Sequence, residues 1–85
     1  MAKVTVYTTT FCPYCQSAKR LLTQKGVPFT EVNLTDKPDE LQALKERTGM
    51  RTVPQIFIND ELIGGYTELA ALEASKKLDE KLNRA

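Results

Sequence analysis

The chain opens on an alternation. From Lys3 to Thr8, Val4 and Val6 fall on one side and Thr5 and Tyr7 on the other. A period of two in a β-branched stretch predicts a strand with one buried face. Thr9 to Phe11 reads as a short loop. Pro13 then suits the first turn of a helix, where the N–H it lacks has no intrahelical partner to lose. The period becomes helical, with Cys15, Ala18, Leu21 and Leu22 forming an apolar stripe. Gly26 is placed to cap this helix, with Pro28 just beyond. Phe29 to Leu34 reads as a second strand. Asp36-Lys37-Pro38 starts a second helix, with Asp39 and Glu40 beside the positive end of its dipole. Leu41 and Leu44 mark its buried side, and it ends near Thr48-Gly49. Gln55 to Ile58 is a third strand. Asn59-Asp60 forms a two-residue hairpin turn into Glu61 to Ile63, and Gly64-Gly65 closes that strand. Thr67 is the expected N-cap of a last helix carrying Leu69, Ala71 and Leu72. Leu78 and Leu82 fall out of phase with Leu69 and Leu72, which predicts a break between Ser75 and Lys77 or a frayed tail.

The order is strand, helix, strand, helix, hairpin, helix. A strand–helix–strand unit of this length makes a parallel pair with a right-handed crossover, and the hairpin adds antiparallel strands. The expected fold class is α/β: a small mixed four-stranded sheet with helices on both faces. With 85 residues there is room for one domain, taken as residues 1–85. The 12 Lys and Arg nearly cancel the 11 Asp and Glu. That balance argues against nucleic acid or a membrane surface as partner, since both select concentrated positive charge. There is no His, which removes the commonest general base and the commonest metal ligand. The N-terminal stretch has no long apolar run and no small-residue cleavage site, so a secretory leader is not expected. Nor is any stretch long enough to span a bilayer. The expected location is the cytoplasm, and the default oligomeric state is a monomer. A reducing cytosol turns attention to redox or metal roles for the two cysteines.

Cys12-Pro13-Tyr14-Cys15 lies between a strand and a helix. A thiol at a helix N-terminus faces unpaired backbone N–H groups and the positive end of the dipole. Both favour thiolate, the attacking species in disulfide exchange, so the Cys12 pKa is expected to fall. The first helical turn brings Cys15 close enough to close a disulfide. Cys15 also falls on the apolar stripe, so Cys12 reads as the nucleophile and Cys15 as the resolving thiol. Three other readings compete. A zinc knuckle needs about four ligands, and the chain offers two Cys and no His. A structural disulfide across two residues closes a tiny loop and gains little entropy. Chance placement is the third.

Two further segments carry open alternatives. In Thr52-Val53-Pro54, the proline either simply enters the strand without needing a ladder donor or forms a cis peptide with Val53, the minority state. The cis form would turn the Val53 backbone outward to pair with an extended peptide. Gly64-Gly65-Tyr66-Thr67-Glu68 is either a flexible turn or an anion site, in which glycines admit a ligand to the N–H groups of Thr67 and Glu68. In the expected fold both segments lie on the edge that carries Cys12.

Together the three segments resemble the glutaredoxin family over essentially the whole chain. Cys12-Pro13-Tyr14-Cys15 matches its dithiol tetrapeptide, Arg51-Thr52-Val53-Pro54 its cis-proline segment, and Gly64-Gly65 with Thr67-Glu68-Leu69 its glutathione-binding turn. The resemblance implies a thioredoxin fold and an enzyme that reduces protein–glutathione mixed disulfides and protein disulfides, with glutathione as cosubstrate and no metal. It implies that Cys12 attacks and Cys15 resolves. Val53 would pair through its backbone with the cysteinyl part of glutathione, alongside Thr52 and Pro54. Gly65, Thr67 and Glu68 would hold the γ-glutamyl carboxylate, chiefly through N–H groups. Arg51 would meet the glycine carboxylate and Tyr14 would flank the sulfur, with Pro13 and Gly64 structural at the site. Many glutaredoxins carry a Lys a few residues before the first active-site Cys, and here that position is Thr9. Lys19 and Arg51 are the candidates to replace its charge in part, although Lys19 also reads as solvated surface charge. Glu68 stands where the family more often has Asp.

Two other functions compete. One is an electron donor recharged by thioredoxin reductase and dedicated to a protein such as ribonucleotide reductase. The Gly64-Gly65 turn and the Thr52-Val53-Pro54 segment favour glutathione over it. The other is an iron–sulfur carrier in which Cys12 and glutathione hold a cluster between two protomers. Pro13, rigid beside the ligand cysteine, argues against that reading.

Overall fold

The computed structural model describes residues 3–82. Its elements are β1 (Val4–Thr8), α1 (Pro13–Gln24), β2 (Thr30–Asn33), α2 (Pro38–Thr48), β3 (Gln55–Ile58), β4 (Glu61–Gly64), α3 (Tyr66–Ala74) and α4 (Lys77–Leu82). The sheet order is β2-β1-β3-β4. β1 runs parallel to β2, with Val6 opposite Glu31. It runs antiparallel to β3, with Val6 opposite Ile56, and β3 pairs antiparallel with β4. This is the expected mixed four-stranded sheet, and the reason is connection length. A helix-long crossover allows the parallel pair, whereas two residues allow only a hairpin. Asn59 and Asp60 make that hairpin with φ of 51° and 67°, the paired positive values of a turn whose twist matches the flanking strands.

The alternation along β1 separates two unlike faces. Val4 and Val6 point with Ile56 and Ile58 into a core completed by Ala18 and Leu22 of α1, Leu69 of α3 and Leu78 of α4. Truncating Leu22, fully buried there, would cost about 2–5 kcal/mol. On the opposite face Tyr7 and Phe57 meet edge to face, ring centroids 5.6 Å apart. α2 covers this face in part, with the Arg47 guanidinium 5.8 Å from the Phe57 ring centre. Because the cover is partial, Leu44 of α2 is buried and Leu41 only half-buried.

Three local details differ from expectation or sharpen it. α1 ends in a Schellman motif, in which Gly26 N–H bonds Thr23 O and Val27 N–H bonds Leu22 O, both at 3.0 Å. Gly26 is therefore the residue after the cap, at φ 71°, and Lys25 is the cap itself. The break after α3 is present: Ser75 caps that helix, Lys76 has φ 64°, and α4 restarts at Lys77 so that Leu78 reaches the core. Thr67, however, is not an N-cap. Gly65 is the N-cap of α3 and Thr67 sits in its first turn. Gly64, at φ 125°, turns the chain sharply enough for the helix to begin two residues earlier than Thr67 would have allowed.

Candidate redox site

Cys12 is the N-cap of α1, with φ −141° and ψ 98°. The Cys15 N–H donates to Cys12 Sγ at 3.1 Å, and the Gln16 N–H donates to the Cys12 carbonyl at 3.2 Å. The sulfur thus takes the place that a Ser or Asp oxygen fills in an ordinary cap. Pro13 occupies the first helical position. Cys12 and Cys15 form a disulfide with Cα atoms 5.2 Å apart. Cys12 is half-buried, whereas Cys15 is fully buried on the apolar stripe. Only one of the two sulfurs therefore faces an approaching disulfide.

The segments flagged in the sequence converge on that sulfur. The Val53–Pro54 peptide is cis, and the Val53 carbonyl oxygen lies 3.5 Å from Cys12 Sγ. The glycine turn abuts the same segment, because a Cβ on Gly65 would stand 3.4 Å from Pro54 O. Pro54, Gly64 and Gly65 are buried, Val53 is half-buried, and Thr52, Thr67 and Glu68 are exposed. Glu68 Oε1 accepts the Gly65 N–H at 2.7 Å. This bond requires glycine at position 64, where a Cβ would lie 2.7 Å from Glu68 Cγ. Tyr14, 64% exposed, stacks on Tyr66 with centroids 6.3 Å apart, linking the first turns of α1 and α3. Arg51 is exposed and lines a depression with Gln42, Lys45, Glu46 and Gly49 at the end of α2.

Lys19, a candidate replacement cation, is paired with a carboxylate. Its ammonium is 3.0 Å from Glu31 Oε2. That carboxylate also accepts the hydroxyl of Thr8 at 2.7 Å. The Thr8 bond first and Lys19 second hold the Glu31 carboxyl below its usual range. Thr8 is fully buried at the end of β1, so this bond fixes the strand from which the cysteine loop departs.

Gln55 is a positioning residue that sequence reasoning missed. Its side chain is fully buried, and its amide donates to Met50 O at 3.1 Å and Thr52 O at 3.2 Å. It braces the loop that carries Val53. The available signal was a polar residue at the entrance of an apolar strand directly after a proline. Among the described residues, no group of three or more His, Cys, Asp or Glu side chains is placed to hold a metal ion, and no helix is long and apolar enough to cross a membrane.

A half-buried sulfur at a helix N-terminus, joined to a buried partner thiol, is an arrangement for disulfide exchange. Comparison with known proteins agrees. The family model described as Glutaredoxin matches residues 4–63. A glutaredoxin of Pseudomonas aeruginosa is 46% identical over 83 residues, 98% of this chain and 99% of the relative. Glutaredoxin 3 of Escherichia coli is 46% identical over 79 residues, 93% of this chain and 95% of the relative. The crystal structure of a buckwheat glutaredoxin–glutathione complex superposes with a TM-score of 0.88 at 32% identity, covering 95% of this chain and 76% of that one. With the dithiol pair seated on the matching fold, the chain belongs to the glutaredoxin family and is a thiol–disulfide oxidoreductase.

Proposed function

We propose that this protein reduces protein–glutathione mixed disulfides and protein disulfides in the cytoplasm, drawing its electrons from glutathione. The observation that carries the reading is the position of Cys12 Sγ. It accepts the Cys15 N–H and lies 3.5 Å from the backbone of Val53, so a cysteinyl substrate paired with that backbone would present its sulfur to the nucleophile. The buckwheat relative in complex with glutathione supports glutathione as the cosubstrate.

In the reduced protein the Cys15 N–H and the α1 dipole favour the Cys12 thiolate. That thiolate attacks the glutathione sulfur of a mixed disulfide. The Cys12–glutathione bond forms, and the target protein leaves as thiolate and takes up a proton. A second glutathione thiolate then attacks the glutathione sulfur on Cys12, releasing glutathione disulfide and restoring the thiol. With a protein disulfide, Cys12 first joins one protein sulfur. Cys15 then attacks Cys12 Sγ, closing the Cys12–Cys15 disulfide and releasing the protein dithiol. Two glutathiones reopen it.

In this reading Thr52, Val53 and Pro54 line the cysteinyl part of glutathione and Tyr14 flanks the sulfur. The open N–H groups around Thr67 and Glu68, reached past Gly65, take the γ-glutamyl carboxylate. Arg51 supplies charge at the glycine end, and Pro13 and Gly64 hold the two turns. The test is steady-state reduction of a glutathionylated peptide with glutathione, glutathione reductase and NADPH. A parallel run uses thioredoxin reductase as the recharging enzyme. Turnover with glutathione alone is the expected result. Turnover with thioredoxin reductase alone would overturn the assignment of the reductant and leave the cysteine chemistry standing.

A further inference from the structure

Among the described residues, the large hydrophobic side chains left exposed are Phe11 and Tyr14. They flank Cys12 on its two sides in the chain. Single exposed apolar residues are ordinary on protein surfaces, but here they gather at one reactive sulfur. Tyr14 has its place in the site through its stacking on Tyr66. Phe11 is 93% exposed, so its ring contributes almost nothing to the fold that carries it.

The backbone on either side of Phe11 is held. The Thr10 N–H donates to Thr35 Oγ1 at 2.7 Å. The Thr35 and Thr10 hydroxyls meet at 3.0 Å, and Asn33 Nδ2 donates to Thr10 Oγ1 at 3.4 Å. On the other side Cys12 caps α1. The ring is therefore presented from a mount fixed at both ends, which lowers the entropy lost when it is covered.

The loop that carries it is tied to one side of the sheet through Thr10. Asn33 ends β2 and Thr35 follows it, on one side of β1. Of the segments assigned to glutathione, Val53-Pro54 leads into β3 and Gly64-Gly65 joins the end of β4 to α3, on the other side of β1. A tripeptide seated on the β3 and β4 side leaves the β2 side uncovered. A polypeptide running through the site continues past Cys12 and reaches it.

We propose that Phe11 is a specificity residue for protein disulfides, its ring receiving an apolar side chain next to the cysteine that Cys12 attacks. The proposal rests on the function stated above for the same site. Its step is the one already balanced: the Cys12 thiolate joins one substrate sulfur, Cys15 closes the internal disulfide, and two electrons pass to the substrate dithiol.

The test uses two synthetic peptides, each closed by one intramolecular disulfide and differing only in Leu or Ser beside each cysteine. Their reduction is followed in single turnover with the pre-reduced protein, so the comparison needs no recharging system. The parent is expected to react with the Leu peptide about tenfold faster at sub-saturating concentration, the effect of partly burying a phenyl ring. Phe11→Ala brings the two rates together and Phe11→Leu restores the preference. Turnover of the glutathione–cysteamine mixed disulfide stays at the parent level in both variants. Equal rates for the two peptides in the parent, an unchanged preference in Phe11→Ala, or an equal loss on all three substrates would overturn the proposal. Failure of the parent on glutathione–cysteamine with glutathione would instead sink the glutathione reading, while the peptide ratio still decides on Phe11.

Discussion

Two helices begin at this site and solve the same electrostatic problem in opposite ways. Every helix N-terminus leaves N–H groups without intrahelical partners and carries partial positive charge. At α1 the N-cap side chain itself, the Cys12 sulfur, accepts an N–H of the first turn. At α3 the N-cap is Gly65, which has no side chain to offer, and no side-chain cap reaches the first-turn N–H groups. Capping there runs backwards, from the Glu68 carboxylate to the Gly65 N–H, as half of a capping box. One terminus therefore holds the cysteine proposed as the nucleophile. The other holds its own shape without a side-chain cap on its first-turn amides, the groups proposed to take a ligand carboxylate. Both touch the Val53-Pro54 segment, α1 through its sulfur and α3 through Gly65.

Several substitutions break or sharpen this contrast. The largest effect belongs to Cys12→Ser. Serine is itself a favoured N-cap, so the melting temperature should hold while turnover falls by at least about a thousandfold, as for loss of a catalytic nucleophile. Steady-state rates and a thermal melt of the same sample separate the two roles, and retained activity would reassign the nucleophile. Cys15→Ser is expected to keep turnover of glutathione mixed disulfides and to lose protein disulfide reduction, a split read by assaying both substrates side by side.

At α3 the expected changes are in stability. Gly64→Ala places a Cβ at positive φ and against Glu68, which should cost about 1–3 kcal/mol and weaken glutathione use along with it. Denaturant unfolding of the variant measures the first effect. Glu68→Ala removes the reverse cap and should cost about 1 kcal/mol, or roughly 4–8 °C in melting temperature for a domain of this size. Glu68→Gln retains an acceptor and should recover most of the loss; equal losses in the two variants would show that the cap bond does not matter.

The smallest effect lies beneath the α1 side of the site, at the Thr8–Glu31–Lys19 cluster. The Glu31 pKa is lowered in the folded protein, so its contribution is present above the ordinary carboxylate range and lost as pH falls through the lowered value. Glu31→Gln should therefore melt slightly below the parent at neutral pH, with the gap closing in acid. A gap independent of pH would show that the charge is not what matters.

Much of this protein was legible in one dimension because its signals are local. Alternation, helical spacing, the Asn59-Asp60 turn and the phase slip between Leu72 and Leu78 each depend on a few neighbouring residues, and together they specify element order and the mixed sheet. The placement of Cys12 before Pro13 likewise makes a sulfur N-cap readable, since capping is a matter of three or four residues. One miss is local: Thr67 has the chemistry of an N-cap, but the backbone turn at Gly64 moves that role to Gly65. The others depend on distant partners. Lys19 reads as a free cation until the crossover brings Glu31 of β2 beside it. Gln55 reads as one more strand residue until the loop before it folds back onto its amide.

The sequence by itself determined the kind of chemistry, a dithiol at the start of a helix, because thiolate stabilisation needs only the first turn of that helix. The tertiary structure alone decided what surrounds the sulfur. It chose the cis form at Val53–Pro54, folded the preceding loop onto the buried Gln55 amide, paired Lys19 with Glu31 and left Phe11 in solvent. Those choices depend on how four strands order themselves and which helix covers which face, and such long-range packing leaves no periodic mark along the chain.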